Sequence, residues 1–255
     1  MSRVAKLFKR LRSERRCGFI AYVTCGDPDV ATTVRIIAAL ERGGADAIEL
    51  GIPFSDPIAD GPVIQAASQR ALAGGMKIGD VFDIAARIRQ ESEIPLIAFS
   101  YLNPIMRYGF ERFSDSAQKS GIDSVLVTDL SVDEKLSLGK LGMIYLLAPT
   151  STDARIAAVN RGSDDFIYYV STTGVTGARK ELDPALLARL AEVRKRVKKP
   201  LAVGFGISEH AHYLTLHDRC DAIVVGSAIV RAIGDGDAAG APERAATVVR
   251  RILGR

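Results

Sequence analysis

Hydrophobic positions along the chain fall into eight short runs that are rich in β-branched residues and nearly continuous rather than alternating. Parallel strands that are covered on both faces have this pattern, because neither side of such a strand meets water. The pattern therefore predicts eight parallel strands. They occupy residues 19–24, 47–50, 95–100, 124–129, 143–149, 166–172, 200–206 and 222–227.

Segments with helical periodicity separate these runs. In 29–44, apolar residues recur at helical spacing before a Gly-Gly pair, which is a helix stop signal. In 183–197, Asp183 is the expected N-cap and Pro184 lies in the first turn. The predicted helices occupy residues 29–44, 80–91, 110–121, 151–162, 183–197 and 243–253.

Eight strands that alternate with helices are typical of a (β/α)8 TIM barrel, and no linker or composition break interrupts the alternation. We expect a single barrel domain over residues 1–255, with an extra amphipathic helix at the N-terminus. A doubly wound open sheet is the alternative. The crossover 130–142 is short and leaves room for about three helical turns at most.

Composition fits a soluble globular protein, with 47% hydrophobic and 25% charged residues and a net charge of +4. Basic clusters at 9–16 and 194–199 are interpreted as solvated helix faces. Neither zinc-finger spacing nor aromatic-basic interleaving occurs, so we expect no nucleic-acid partner. The chain has no apolar run near 18 residues and no signal peptide, which favours a cytoplasmic protein without a membrane partner.

Cysteine and histidine are sparse. Cys17, Cys25 and Cys220 have no metal-ligand spacing and are expected to be reduced thiols. The three histidines lie within eight residues, at positions 210, 212 and 217. An exposed helix is the preferred interpretation of this cluster, and a metal site is the alternative.

Glu49 interrupts the second hydrophobic run near its end. Side chains alternate along a strand, so Glu49 faces inward if Ile48 and Leu50 pack against the outer helices. An unpaired buried carboxylate is costly, so its pKa should rise, as acid–base catalysis near neutral pH requires. Pairing with a core Lys or Arg is the alternative.

Two further aspartates, Asp56 and Asp60, follow in a loop rich in proline and glycine. Each alone is common in ordinary turns. Their closeness to Glu49, at the face where barrels place their active sites, makes them candidates.

Glycine-containing loops follow the last three strands, at 172–179, 204–208 and 226–230. The first suits a mobile lid. The other two predict a phosphate site, since backbone N–H groups at the start of a short helix after strand eight hold phosphate in many barrels. Tight helix–strand packing is the alternative.

Together these stretches resemble the α subunits of tryptophan synthase. "ELGIPFSDPIADGPVIQ", "GVTGAR", "GFGIS", "GSAIV", "YVTCGDPD" and "APTST" match signatures of that family in the family's order. Phosphate loops are shared with many barrels, whereas the 49–65 segment is not. The resemblance implies a lyase that cleaves indole-3-glycerol phosphate to indole and glyceraldehyde 3-phosphate by a retro-aldol reaction, within tryptophan biosynthesis.

The resemblance also implies roles for single residues. Glu49 would transfer protons, and ionised Asp60 would accept from the indole N–H. Thr176 in the lid would contact Asp60 on closure. Indole-pocket walls are expected at Tyr22, Phe99, Tyr101, Leu126, Thr128, Leu146 and Tyr168, with core packing as the alternative for each. Phosphate is expected at Gly177, Phe205, Gly206, Gly226 and Ser227.

The implied partner is a tryptophan synthase β subunit in an α2β2 heterotetramer. That subunit would carry pyridoxal phosphate, whereas this chain would need neither cofactor nor metal. Asp56, Pro57, Asn103 and Pro104 would face the partner. The family often has Asp-x-Pro-x-Glu-Glu after strand four, but residues 129–134 here are "DLSVDE", with Ser131 for the proline.

This departure and the short crossover concern subunit coupling rather than catalysis. A stand-alone lyase that releases free indole is therefore an alternative. A phosphosugar or phosphoribosyl-anthranilate isomerase would share the phosphate loops but would not require "PFSDPIADGP". A non-enzymatic activator of a β subunit would be free to lose Glu49 and Asp60, and both are present.

Overall fold

The computed structural model describes residues 1–134, 136–170, 183–204 and 206–255. All eight predicted strands are present: β1 (Gly18–Thr24), β2 (Ala47–Gly51), β3 (Leu96–Ser100), β4 (Ser124–Val127), β5 (Gly142–Leu147), β6 (Ile167–Val170), β7 (Leu201–Gly204) and β8 (Ala222–Val225). Neighbouring strands pair in parallel and in chain order, and β8 pairs with β1, so the sheet closes. The barrel prediction is confirmed, and the open-sheet alternative is wrong.

Helices within the described ranges are α1 (Arg3–Ser13), α2 (Val30–Gly43), α3 (Pro62–Ala73), α4 (Ile78–Arg89), α5 (Leu102–Tyr108), α6 (Phe110–Ser120), α7 (Asp153–Gly162), α8 (Pro184–Arg196), α9 (His210–Leu216), α10 (Ser227–Gly234) and α11 (Ala241–Leu253). Asp183 caps α8 by accepting from the Ala185 N–H, as expected. The sequence pattern missed α3 and α5. Among the described residues of the crossover after β4, one 3-10 turn is present, Val132–Glu134.

Side-chain alternation separates two apolar regions. Ile48 and Leu50 of β2 pack outward in the large cluster shared with the helices, whereas Ala47 packs in the interior cluster. Glu49 has the same parity as Ala47 and is fully buried. The inward orientation expected for Glu49 follows from this arrangement.

Helix α1 covers the N-terminal end of the barrel. Its apolar residues Val4, Leu7, Phe8 and Leu11 follow helical spacing and are buried in the interior cluster. The Phe8 ring lies 5.4 Å from the ring of Phe166. Because α1 seals this end, the site must open at the opposite end, where the strands finish.

A repeated contact, which we call the strand clamp, ties the strands together at the N-terminal end. In each clamp an aspartate shortly before an even-numbered strand accepts from a backbone N–H at the start of the preceding strand, at 2.8 to 3.0 Å. The N–H of the same aspartate donates back to the carbonyl of that residue. The pairs are Asp46 with Phe19, Asp123 with Leu96, Asp164 with Met143, and Asp221 with Leu201.

Arginines reinforce three of the clamps. Arg16 pairs with Asp46, Arg89 with Asp123, and Arg194 with Asp221. Arg16 and Arg194 belong to the basic clusters interpreted above as solvated helix faces, so those clusters are only partly solvated. The reason is that the side chains of these three clamp aspartates are only 5% to 17% exposed, so they need a cation to offset their desolvation.

The structure places the cysteines, expected to be reduced thiols, and the histidines, for which a metal site is the alternative. All three cysteines are free thiols and are buried. His212 is buried rather than exposed, which corrects the expectation of an exposed histidine helix. Within the described ranges, no group of three His, Cys, Asp or Glu side chains could hold a metal ion. In the same ranges, no helix is both long and apolar enough to cross a membrane.

Candidate active site

A cavity of about 670 Å³ opens at the C-terminal ends of the strands. Side chains from β1, β2, β3, β5, β6 and β8 line it, together with the segments that follow β2, β4, β7 and β8. Its volume lies in the range usual for small-molecule sites. The cavity places both candidate carboxyls, Glu49 and Asp60, at one site.

Glu49 lies at the inner wall of this cavity and is fully buried. Neither carboxyl oxygen has a hydrogen-bond partner in the described part of the chain, so pairing with a core Lys or Arg does not occur there. Burial raises the pKa of Glu49 to about 8, because the charged form loses its hydration without compensation. At pH 7 the carboxyl is mostly protonated and is able to donate a proton.

Asp60 lies in the loop after β2 and is also buried. Burial raises its pKa to about 6, and a hydrogen bond from the Tyr101 hydroxyl, 3.0 Å from Oδ2, partly opposes that rise. At pH 7 Asp60 is mostly ionised. One cavity therefore holds a carboxyl that is neutral and a carboxylate that is charged, an arrangement suited to acid–base chemistry with charge stabilisation.

Tyr101 holds the loop that carries Asp60. Its hydroxyl accepts from the Ala59 N–H at 2.9 Å while donating to Asp60. The Tyr101 ring also lies 5.3 Å from the ring of Phe54 in the same loop. Tyr101 does not line the cavity in the described structure, so its place is behind Asp60 rather than in the pocket wall.

Aromatic side chains form the walls on either side of Glu49. Tyr22 and Phe99 meet edge to face at 5.3 Å, and Phe99 meets Tyr168 at 6.4 Å. Planar apolar walls of this kind suit a flat aromatic ligand. Thr128 and Leu146 also line the cavity.

Two strand-end glycines make room for the tyrosine hydroxyls. A Cβ at Gly51 would lie 2.2 Å from the Tyr22 hydroxyl, and a Cβ at Gly204 would lie 2.6 Å from the Tyr168 hydroxyl. Both distances are shorter than atoms tolerate. Larger residues at these positions would push the two rings out of the cavity wall.

The far end of the cavity is formed by the loops after β7 and β8. Gly206, Gly226 and Ser227 line it, and Gly206 has a φ of +62° that favours glycine. No side chain caps the start of α10, so its first N–H groups are available to an anion. This end of the cavity has the features of a phosphate site.

Besides Tyr101, four of the expected site residues lie elsewhere or outside the description. Leu126 is fully buried in the interior cluster and does not line the described cavity. Thr176, Gly177 and Phe205 lie outside the described residues. The expectations for these three therefore remain predictions.

Several cavity residues were missed by sequence reasoning. Ile207 and Ser208 could have been found, since they belong to the "GFGIS" stretch. Arg251 gave no such signal, because only the packing of the last helix brings it to the loop after β7, where it donates to the Ser208 carbonyl at 3.2 Å. The other missed lining residues are Ile58, Ala59, Ile64, Val170, Gly204, Glu209, Val224, Ala228 and Arg231.

Residues expected at a partner surface lie beside the cavity entrance. Asp56 is exposed in the loop after β2, and Asn103 is exposed on α5. Pro57 and Pro104 are partly buried in the same two segments. The hydrogen bond between Ala59 and Tyr101 joins these segments, so a change in one can reach the other.

Comparisons with known proteins agree with this geometry. A sequence model of the family described as "Tryptophan synthase alpha chain" matches residues 8–252. The tryptophan synthase alpha chain of Solibacter usitatus is 49% identical over 239 residues, covering 91% of this chain and 90% of that protein.

Solved structures give the same result. The crystal structure of tryptophan synthase subunit alpha from Legionella pneumophila superposes with a TM-score of 0.90 at 32% identity, covering 99% of this chain and 97% of that one. A structure of the tryptophan synthase a2b2 complex from Pyrococcus furiosus superposes with a TM-score of 0.88 at 37% identity, covering 93% and 98%. With a family match over nearly its whole length and a cavity that unites Glu49, Asp60 and a phosphate-type loop pair, this chain belongs to the tryptophan synthase alpha chain family.

Proposed function

We propose that the chain is the α subunit of a tryptophan synthase and cleaves indole-3-glycerol phosphate to indole and glyceraldehyde 3-phosphate. One observation supports this most strongly: the buried, unpartnered carboxyl of Glu49 faces the same cavity as Asp60. None of the comparisons favours the stand-alone lyase. We also propose that residues 1–255 form one domain, since β8 closes the barrel against β1.

Glu49 carries the proton transfers in this proposal. The scissile bond joins C3 of indole to the hydroxyl-bearing carbon of the glycerol chain. Neutral Glu49 donates its proton to C3, which gives an indolenine cation. The resulting carboxylate then takes the proton of the side-chain hydroxyl as the aldehyde forms. The electron pair of the broken bond returns to the ring, so Glu49 ends the cycle protonated.

Asp60 stabilises the cation in this proposal. As an ionised carboxylate it accepts from the indole N–H, where positive charge develops after C3 is protonated. A fixed charge in a buried site stabilises such a transition state more than water does. The contacts of Tyr101 with Ala59 and Asp60 keep the acceptor in place.

Substrate orientation follows from the two ends of the cavity. The aromatic walls formed by Tyr22, Phe99 and Tyr168 would hold the indole beside Glu49. The loops with Gly206, Gly226 and Ser227 would hold the phosphate. The reacting bond then lies between the two anchors.

The proposed partner is a tryptophan synthase β subunit, in an α2β2 assembly such as the one named for the Pyrococcus furiosus structure. Asp56, Pro57, Asn103 and Pro104 would form part of the interface. Exposed apolar side chains beside them support this, since Ile58 is 84% exposed and Met106 is 54% exposed. Pyridoxal phosphate would belong to the β subunit, and we propose that this chain works in the cytoplasm without a cofactor of its own.

Residues 129–134, which depart from the family pattern, contact helix α7. Ser131, which replaces the family's proline, accepts from Arg155 of α7 at 2.7 Å. Coupling to a β subunit can therefore differ from that of other members without altering the catalytic cavity.

The proposal is tested by indole release from indole-3-glycerol phosphate, with and without an added tryptophan synthase β subunit. Slow release that rises strongly with the β subunit is the expected result. Fast release that the partner does not change would favour a stand-alone lyase. No release under either condition would exclude the proposed reaction.

The pH dependence of kcat/KM is predicted to be bell-shaped. The reaction needs Asp60 ionised and Glu49 protonated, so the rate should rise through pH about 6 and fall through pH about 8. The substrate phosphate also titrates near pH 6. The pH profile of the residual activity of Asp60→Asn separates Asp60 from the substrate phosphate. The part of the rise near pH 6 that is due to Asp60 should disappear, and the part that is due to the phosphate should remain. A rate that stays flat up to pH 9 would contradict the acid role of Glu49.

A further inference from the structure

Two arginines line the phosphate end of the cavity, and neither belongs to the glycine loops. Arg231 lies on α10, one helical turn after Ser227 and on the same face. Arg251 lies near the end of α11 and reaches the loop after β7, where it donates to the Ser208 carbonyl. The fold thus brings two guanidinium groups from different helices to one end of the site.

Among the described residues these two cations have no carboxylate partner, unlike most of the other arginines there. Twelve arginines in the described ranges form ion pairs with Asp or Glu, including those at the strand clamps. Within those ranges, Arg231 forms neither an ion pair nor a side-chain hydrogen bond, and Arg251 forms only the bond to Ser208. Glu209 is the one described carboxylate at this end of the cavity, and it pairs with neither arginine.

A phosphate monoester places close to two negative charges at this end. The backbone N–H groups of the two loops supply dipoles and geometry but no net charge. Arg231 and Arg251 contribute two positive charges against the single negative charge of Glu209. A planar guanidinium group can also donate two parallel hydrogen bonds to phosphate oxygens, which a single backbone N–H group cannot do.

On the basis of the proposed function, we propose that Arg231 and Arg251 are specificity residues that recognise the charge of the substrate phosphate at the cavity mouth. They attract the dianion and slow its departure, while the glycine loops fix its position. Neither arginine touches the reacting bond, so their contribution lies in binding rather than in the chemical step.

The test compares Arg231→Gln, Arg251→Gln and the double variant in two measurements. One is the steady-state kinetics of indole release, and the other is the Kd of inorganic phosphate by calorimetry. We expect each single change to raise both KM and the phosphate Kd about fivefold, with kcat within twofold, since a charge-assisted bond at an exposed site is worth less than a buried one. Added salt should raise KM less steeply in the double variant than in the original chain.

A matched control is Arg87→Gln on α4, which makes the same change in net charge at an exposed position away from the cavity. It should leave KM, the phosphate Kd and the salt dependence unchanged. Arg231→Lys keeps the charge and should retain most of the affinity. If Arg251→Gln loosens α11, the result for Arg231→Gln alone decides, because the Arg231 side chain has no partner among the described residues.

Phosphate calorimetry does not depend on turnover, so it separates this inference from the proposed reaction. An unchanged phosphate Kd in the double variant would overturn the inference, whether or not the original chain releases indole. A fall in kcat with unchanged KM would overturn it too, because that result assigns the arginines to another role. If phosphate binding weakens while the original chain releases no indole, the anion site is supported and the lyase proposal fails.

Discussion

Glu49→Gln is expected to lower indole release from indole-3-glycerol phosphate by about 10³-fold or more. General acid–base catalysis by one group is typically worth 10² to 10⁴ in rate, and here the same carboxyl serves two successive transfers. Gln keeps the size and can donate a hydrogen bond, but it cannot give up or accept the proton. Single-turnover kinetics with saturating substrate measures this step directly.

The same substitution has a second expected effect, on stability. The pKa of Glu49 is about 8 in the folded chain, above the ordinary value of 4.5. The folded state therefore holds a proton that the unfolded state has lost between these pH values, and stability falls as pH rises through that window. The loss is on the order of 4 kcal/mol at pH 8. Glu49→Gln should remove this part of the pH dependence, which urea unfolding of the variant and the original chain at pH 5 and pH 8 measures; the smaller part due to Asp60, whose pKa is about 6, should remain.

Asp56→Asn is the matched control for Glu49→Gln. It removes a carboxylate from the same loop as Asp60, but the Asp56 side chain is exposed and, among the described residues, accepts a hydrogen bond only from the Ser55 hydroxyl. The isolated chain should keep its rate with this change. Residual activity above a tenth of the original in Glu49→Gln would remove Glu49 from the acid–base role.

Asp60→Asn is expected to lower kcat by about 10² to 10³. The substitution removes the negative charge that opposes the developing cation, and losing one charge-stabilising group in a buried site costs on this order. The amide keeps the shape of the loop and can still accept from the indole N–H. The effect should therefore appear in kcat much more than in KM.

Inorganic phosphate binding supplies the control for Asp60→Asn. Asp60 lies in the loop after β2, whereas the phosphate end is built from the loops after β7 and β8, so the phosphate Kd should not change. A near-normal rate in Asp60→Asn would mean that the indole nitrogen is stabilised by another group.

Much of this arrangement could be predicted from the sequence, because local patterns carry it. Continuous apolar runs gave the parallel strands, and alternation along β2 gave the inward direction of Glu49. The seven residues of α5, with Pro104 inside and Gly109 after its end, were too short to give a helical period.

The remaining features depend on contacts between distant segments. Nothing near Tyr101 in sequence reveals that its hydroxyl bridges Ala59 and Asp60, since that contact exists only after β2 and β3 pair. Arg251 reaches the cavity through the packing of the last helix. Leu126 was expected in the pocket because the family resemblance implied it, but it lies fully buried in the interior cluster, at a depth along the strand that periodicity does not give.

The strand clamps have a consequence for how this chain can vary. They recur at every second strand, and they all lie at the end of the barrel that is opposite the cavity. The strand clamps, which stabilise the fold, are thus at the opposite end of the barrel from the loops that line the cavity. A lineage can therefore lengthen, shorten or change the loops that follow the strands, such as the segment around Ser131, while the clamped end preserves the scaffold.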